Sequence, residues 1–323
     1  MKISAPHIAN LFSYASYSGI KEDELRNYLT DDKLDVCNVN NTVSESEFLN
    51  VFNALMVHSN DNYFGLHYGC NLNIKALGFI TQLSLNASSI EQAVYILQNY
   101  FKDSFPLVSL YAKTIKDKYM LKLETSIQHV DLKNQLLDTV YCFLYRELKL
   151  MATNEMLPVL KLPYSNCTEH SKFLDARIEK GNEHSFIFDA TILESKINKK
   201  STNEIELLLP KFLQMLDKKK SGYQSFSIQV RNMVLNMCCP QLPTFEQVAV
   251  HFPLGNRTIQ RKLTDEGLSF RKITNDIKSE LATYLSKGNK MKTQDIAFIL
   301  GYSEPSAYLH AVKKWKTKPI ATV

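Results

Sequence analysis

The sequence predicts two folds in succession, an α+β domain followed by an all-α domain. Two observations lead there. Strand-like segments recur up to about residue 190 and vanish after Gly222. The charge also divides: residues 222–323 hold 14 Lys and Arg against 7 Asp and Glu, whereas the preceding residues hold 24 against 26. A basic terminal third on a nearly neutral body is the signature of a polyanion-binding module joined to something else.

The chain has 323 residues, enough for two cores. Its 45% hydrophobic and 22% charged content is that of an ordinary globular protein. It has no apolar run of membrane-spanning length, and its first residues read as an amphipathic helix, so a cytoplasmic, membrane-free protein is expected. Cys37, Cys70, Cys142, Cys167, Cys238 and Cys239 are irregularly spaced, without a C-x-x-C pair. Reduced thiols are expected, with no metal and no cofactor.

In the front part, helices are expected over 6–17, 44–58, 89–103 and 131–151. Ser44 with Glu47 forms a capping-box pattern, and Ser88 or Ser89 opens the third helix. Strands are expected at 107–115, 119–127, 157–164 and 184–190, where β-branched and aromatic residues recur; residues 116–118 suit a hairpin turn. Ile205, Leu208, Leu209, Phe212, Leu213 and Leu216 form a helical stripe, with Pro210 as a kink. It serves packing on its own domain or a subunit contact. The charge run and Ser-Gly at 217–225 read as a linker between domains 1–216 and 226–323.

After the linker, six segments bounded by Gly, Pro or polar caps read as helices. Ser225 or Ser227 caps the first, Thr244 with Gln247 the second, and Ser269 opens a long central helix ending at Gly288. In NRTIQRKLTDEG, Ile259 and Leu263 share an inward face, leaving Arg257, Gln260, Arg261 and Thr264 on the other. Donor-rich side chains at that spacing suit base edges and phosphates, and also suit a merely solvated face. KTQDIAFILGYSEPSAYLHAVKKW repeats the design. Ile296, Ala297 and Leu300 point inward, Gly301 permits a tight turn, and Ser303 or Glu304 with Pro305 starts the next helix. Tyr308, Ala311, Val312 and Trp315 form its buried stripe, with Ser306, Leu309, His310 and Lys313 facing away. These are two helix-turn-helix patterns joined by a helix of about 27 Å, near the 34 Å of one DNA turn.

Residues 226–319 resemble the DNA-binding domain of AraC/XylS-type transcriptional regulators. NRTIQRKLTDEGLSFRKI, DIAFILGYSEPSAYLHAVKKW and Pro319 carry the likeness. The resemblance implies base contacts from Arg257, Gln260 and Arg261 and from Ser306, Leu309 and His310, with Lys313 on phosphate. Departures from the pattern are Lys278 in place of an Arg, His310 where many members have Arg, and Thr317 in place of a Gly. FGLHYGCNLNIKALGFITQLSLNASSIEQAVYILQNYF, with Gly65, Gly69 and Gly78, resembles the arabinose-binding-like sensor domain of the ornithine- and virulence-regulator branch. That likeness implies a small-molecule sensor that dimerises, with a fatty acid or small carboxylate among its effectors and no sugar required. Double-stranded DNA and RNA polymerase are the implied partners. Control by a protein partner or by abundance is the competing reading.

No nucleotide-binding loop, nucleophile elbow or His-pair motif occurs, so no catalytic residue is expected. His67 beside Cys70 is a local pair with no third orienting group. An enzyme with a DNA-binding tail, of the repair-methyltransferase kind, needs a reactive Cys in a recognisable setting. Tyr100, Phe101, Phe105 and Tyr111 line an apolar pocket or simply fill the core.

Overall fold

A computed structural model describes residues 1–72, 87, 89–151, 157–195, 199–217, 225–237, 242–288 and 292–317. Residues 218–224 of the expected linker, together with Gly78, Cys238, Cys239 and Pro319, lie outside the described residues. The chain divides into two compact units, Met1–Thr202 and Asn203–Val323.

In the front unit, β1 (Lys2–Ser4) pairs antiparallel with β2 (Thr42–Ser44), aligning Ile3 with Val43. Helices α1 (Pro6–Ala15), α2 (Glu22–Arg26), α3 (Glu45–Ser59) and α4 (Phe64–Cys70) belong to this part. The Ser44–Glu47 capping box forms: the Ser44 hydroxyl accepts from the Glu47 backbone N–H, and the Glu47 carboxylate accepts from that of Ser44. Glu47 also accepts from Thr30 N–H. Burial alone would raise its pKa, but these bonds hold it down at about 2. Ser89 caps α5 (Ile90–Ser104) by accepting from Gln92 N–H.

The second sheet has strand order β3-β4-β7-β5-β6, built from β3 (Ser109–Ile115), β4 (Lys118–Glu124), β5 (Val159–Leu162), β6 (Ile178–Lys180) and β7 (Ser185–Asp189). Its pairings are antiparallel except β5 with β6. Tyr119, Leu121 and Leu123 alternate onto the buried face of β4, as a strand period of two requires. Lys116, at φ +55°, turns the β3–β4 hairpin.

Helix α6 (Val130–Met151) serves three neighbours through three faces. One face meets α4. Gly65 and Gly69 are one helical turn apart there, and a Cβ on them would stand 2.0 Å from the Gln135 carbonyl oxygen and 2.5 Å from that of Thr139. Only glycine lets the two backbones approach so closely. The Gln135 side chain accepts from Gly65 N–H at 2.6 Å and donates to the Asn62 carbonyl at 2.8 Å, satisfying a donor that the start of α4 leaves open. A second face carries Tyr141, whose ring stacks on Phe186 at 4.3 Å and whose hydroxyl donates to the Ser185 carbonyl.

Asp138 projects from α6 into a polar knot that no sequence pattern announced. His170, on α7 (Thr168–Leu174), donates to one of its oxygens at 3.0 Å; His184 and Tyr164 donate to the other at 2.9 and 3.0 Å. Asp138, His170 and His184 are all buried. Burial pushes the Asp138 carboxyl up, yet the histidine bonds outweigh it and hold it below the usual range. Glu147, also on α6, has the opposite balance: burial raises it to about 7 against the weaker pull of Arg146.

The C-terminal unit is helical: α9 (Phe226–Met237), α10 (Phe245–Ala249), α11 (Asn256–Asp265), α12 (Phe270–Gly288), α13 (Thr293–Ile299) and α14 (Pro305–Thr317). Helix α8 (Lys199–Asp217) precedes them and crosses the division between the units, with Pro210 inside it. Its buried stripe is Leu208, Leu209, Phe212 and Met215. Leu213 and Leu216 are only half-buried, a correction to the expected stripe, and Ile205's side chain lies outside the described residues.

Replacing Gly65 with Ala is expected to cost at least about 2 kcal/mol, since its Cβ overlaps a backbone carbonyl and the helix pair must separate. Chemical denaturation of Gly65→Ala beside wild type checks this. For Glu147, the folded carboxyl binds its proton more tightly than the unfolded one. Its contribution is therefore complete below about pH 4.5 and is lost as pH rises through about 7. Glu147→Gln is expected to flatten the fall in stability between those values, read from thermal midpoints across the pH series.

Candidate nucleic-acid interface

Helix α11 is amphipathic in a strict sense. Ile259 and Leu263 are each 1% exposed, whereas Arg257, Gln260, Arg261 and Thr264 all lie on the exposed side. The Thr264 hydroxyl donates to the Gln260 carbonyl at 2.9 Å, so that side chain is folded onto its own helix. The helix starts from Gly255 in an extended conformation and stops at Gly267, φ +70°. Beyond that stop, Leu268 N–H returns to the Leu263 carbonyl at 2.8 Å, the six-to-one bond of a glycine-terminated helix. Thr244 and Gln247 make the expected capping box on α10.

The end of α11 is fastened to the start of α9 by one carboxylate. Glu266 accepts from Phe226 N–H at 2.8 Å and Ser227 N–H at 2.9 Å. Burial raises this carboxyl, but the bonds to Ser227 and Phe226 and the charge of Lys262 bring it below its ordinary value. Ser225 and Ser227, expected as caps from the sequence, hydrogen-bond each other through their hydroxyls at 3.1 Å. The first donors of α9 are thus met from a distant segment, and a negative group at a helix start is also favoured by the helix dipole. Lys262 lies 5.4 Å from the Phe226 ring centre, on the same junction.

Ser269 opens α12 by accepting from Lys272 N–H at 3.2 Å. The second helix pair follows. Ile296, Ala297 and Leu300 are buried, as their spacing predicts. Gly301 has φ +74°, and Tyr302 N–H reaches the Ala297 carbonyl at 3.0 Å. Glu304 stands just before α14, and Ser306 donates its hydroxyl to that carboxylate at 3.1 Å. Ser306, Leu309, His310 and Lys313 are exposed, with Leu309 at 49%. The inward stripe is shallower than expected. Tyr308 is buried, but Ala311, Val312 and Trp315 are half-buried. The Trp315 ring meets Tyr308 edge-on at 6.3 Å, so it shields that residue and is not itself a core centre. Lys278, the departure on α12, sets its ammonium 4.5 Å from the Tyr302 ring centre. A cation over an aromatic face ties the central helix to the turn of the second pair.

Outside this unit, His67 pairs with Asp61 at 2.6 Å. The Cys70 thiol is lowered chiefly by its bond with Cys142, also by Arg146, against its burial. Cys37, Cys70, Cys142 and Cys167 are free thiols, and the described residues contain no metal-binding cluster of His, Cys, Asp or Glu. No described helix is long and apolar enough to cross a membrane.

Helices α11 and α14 are each exposed and donor-bearing and each follows a short helix and a turn, the geometry of a helix-turn-helix. Residues 32–197 match the arabinose-binding domain of AraC transcription regulators, N-terminal, and the chain belongs to that family. An uncharacterised HTH-type transcriptional regulator of Mycobacterium tuberculosis is 37% identical over 73 residues, 23% of this chain and 21% of the relative. The regulator VqsM of Pseudomonas aeruginosa is 33% identical over 75 residues, 23% of each chain. The ornithine utilization regulator of the same organism is 26% identical over 76 residues, 24% of this chain and 22% of the relative. The matched stretches therefore span less than a quarter of these curated relatives. Among solved structures, the transcriptional regulator CdpR from Pseudomonas aeruginosa aligns with 97% of this chain and 96% of its own, at 16% identity and a TM-score of 0.44.

Gly301→Ala is expected to destabilise the chain by about 1–2 kcal/mol, because the turn holds a conformation that costs an L side chain energy even where space is open. Urea denaturation followed by far-UV circular dichroism checks it.

Proposed function

We propose that the chain is a sequence-specific DNA-binding transcriptional regulator whose front unit senses a small molecule. The observation that carries this reading is α11, where a fully buried Ile259–Leu263 stripe turns Arg257, Gln260 and Arg261 outward together. Arg is suited to guanine and Gln to adenine in the major groove. In α14, Ser306, Leu309 and His310 take the corresponding places. Leu309 suits a thymine methyl, and with His310 in place of an Arg this helix adds more backbone affinity than base discrimination. Lys313 contacts phosphate. The excess of basic residues after Gly222 supports a polyanionic partner.

Control follows from the two-unit construction. An effector acts only through its different affinity for DNA-competent and incompetent states of the chain. RNA polymerase contact, a homodimer built through the front unit, and a cytoplasmic location complete the proposal.

The reading is tested by selecting duplexes from a random pool with the full chain, then measuring affinities by fluorescence anisotropy. Arg261→Ala is expected to weaken the selected site by about 1–3 kcal/mol and to relax one base position. Lys313→Ala should lower affinity evenly across sequences and reduce the salt slope by about 1. Unchanged binding by Arg261→Ala would refute the assignment of α11.

A further inference from the structure

The third face of α6 borders a cavity. Leu136, Val140 and Phe143, at positions i, i+4 and i+7, form one wall. Phe48 and Phe52 from α3, Tyr68 from α4, Leu72, and Phe101 and Phe105 from the α5 region form the rest of the apolar lining. Their rings lean on one another edge-on, Phe48 on Phe105 at 5.1 Å and Phe101 on Phe143 at 6.3 Å. The space is about 530 Å³, its opening to solvent included. Of the aromatic candidates read from the sequence, Tyr100, Phe101 and Phe105 border it, and Tyr111 is exposed elsewhere.

One corner is polar and uncharged, lined by His7, Asn10 and Tyr100, with Ser104 behind His7 and outside the lining. His7 sets its Nε2 2.9 Å from the Ser104 hydroxyl and 3.5 Å from the Tyr100 hydroxyl, and its ring packs on Phe105 at 4.8 Å. Crowding by surrounding atoms pushes the His7 pKa down to about 4, so the imidazole is neutral near pH 7. Burial likewise raises Tyr100, against a lowering bond from Ser104, leaving it a protonated donor. No Asp, Glu, Lys or Arg is among the described residues lining the cavity.

We propose that this cavity is the effector site of the front unit and takes a compact, uncharged molecule: an aromatic or short alkyl body with one neutral hydroxyl or carbonyl set against His7, Asn10 and Tyr100. The inference deepens the sensor reading above and rests on it for the word effector. A carboxylate entering here loses its water and meets no cationic side chain among those described, which is unfavourable without a paired charge. A sugar brings more hydroxyls than the single polar corner can satisfy. Of the remaining polar lining, the Thr139 hydroxyl is already bonded to the Gln135 carbonyl, so an apolar body with one polar handle is the best match.

The test is calorimetric titration of the full chain at pH 7.5 with two probes of matched shape, neutral 4-ethylphenol and anionic 4-ethylbenzoate. The phenol should bind at one site, at least about tenfold tighter than the carboxylate. Val140→Phe, which adds bulk to the wall, should abolish binding. His7→Phe, which keeps a ring and removes the polar contact, should weaken it about five- to tenfold, in line with loss of one hydrogen bond. Should circular dichroism show His7→Phe unfolded, Tyr100→Phe, which keeps the ring and removes the hydroxyl, takes its place with the same expectation. Equal or tighter binding of the carboxylate, absence of saturable phenol binding, or indifference to both wall and corner variants overturns the site. Because binding is read directly, the two readings fail separately. A chain that binds the phenol while its DNA affinity ignores it keeps the site and loses the regulatory coupling; one whose DNA affinity answers only to other compounds keeps the coupling and loses the site.

Discussion

The close approach of α4 and α6 is the constraint on which the front unit depends. Without Cβ atoms at Gly65 and Gly69, the backbone of one helix settles against the carbonyls of the other. That contact fixes the rotation of α6 about its axis, and the rotation decides what its other faces can do. Asp138 is carried to His170, His184 and Tyr164, Tyr141 is laid on Phe186, and Leu136, Val140 and Phe143 turn to the cavity. A helix packed on glycine has few alternative registers, because sliding by one residue would bring a side chain against a backbone carbonyl. The polar knot at Asp138 adds specificity of a different kind. Once buried, its charge is tolerable only while its donors remain in place.

The C-terminal unit follows a similar logic with weaker means. Helices α10, α11 and α13 are short, and isolated helices of five to ten residues are not stable in water. They persist because each is stopped or started by a specific group. Thr244 and Gln247 start α10, Gly267 stops α11, Ser269 starts α12, and Gly301 turns the chain into α14. Glu266 and Lys278 then bridge elements distant in sequence. Fixing the ends of α11 holds the backbone positions of Arg257, Gln260 and Arg261 in one outward row.

Much of this architecture is written in the sequence. The 3.6-residue period of Ile259 and Leu263, the capping pair Ser44–Glu47, the alternation along β4 and the glycine at 301 each express a local rule, and each element forms where that rule places it. The outward set on α11 was legible for the same reason, since helical spacing decides which residues share a face. What escaped were contacts between distant residues. β1 and β2 are three residues each and exist only by pairing across some forty positions. Glu266 displaced the local serine caps of α9, and Trp315 proved a shield at the edge of its stripe. Histidines 7, 170 and 184 have partners 97, 32 and 46 residues away, so no spacing motif marks them.

The sequence alone therefore determined the class of each half, the longer helices and strands of the front unit, the helices of the C-terminal unit, and the face that α11 turns outward, because helix and strand periods and caps act within a few residues. Only the tertiary structure decided that two glycines seat one helix on another, that a buried aspartate gathers two histidines, and that aromatic residues from separate helices enclose a cavity with an uncharged polar corner. Those features arise from packing between segments far apart in the chain, where close approach and desolvation, not local propensity, set the energy.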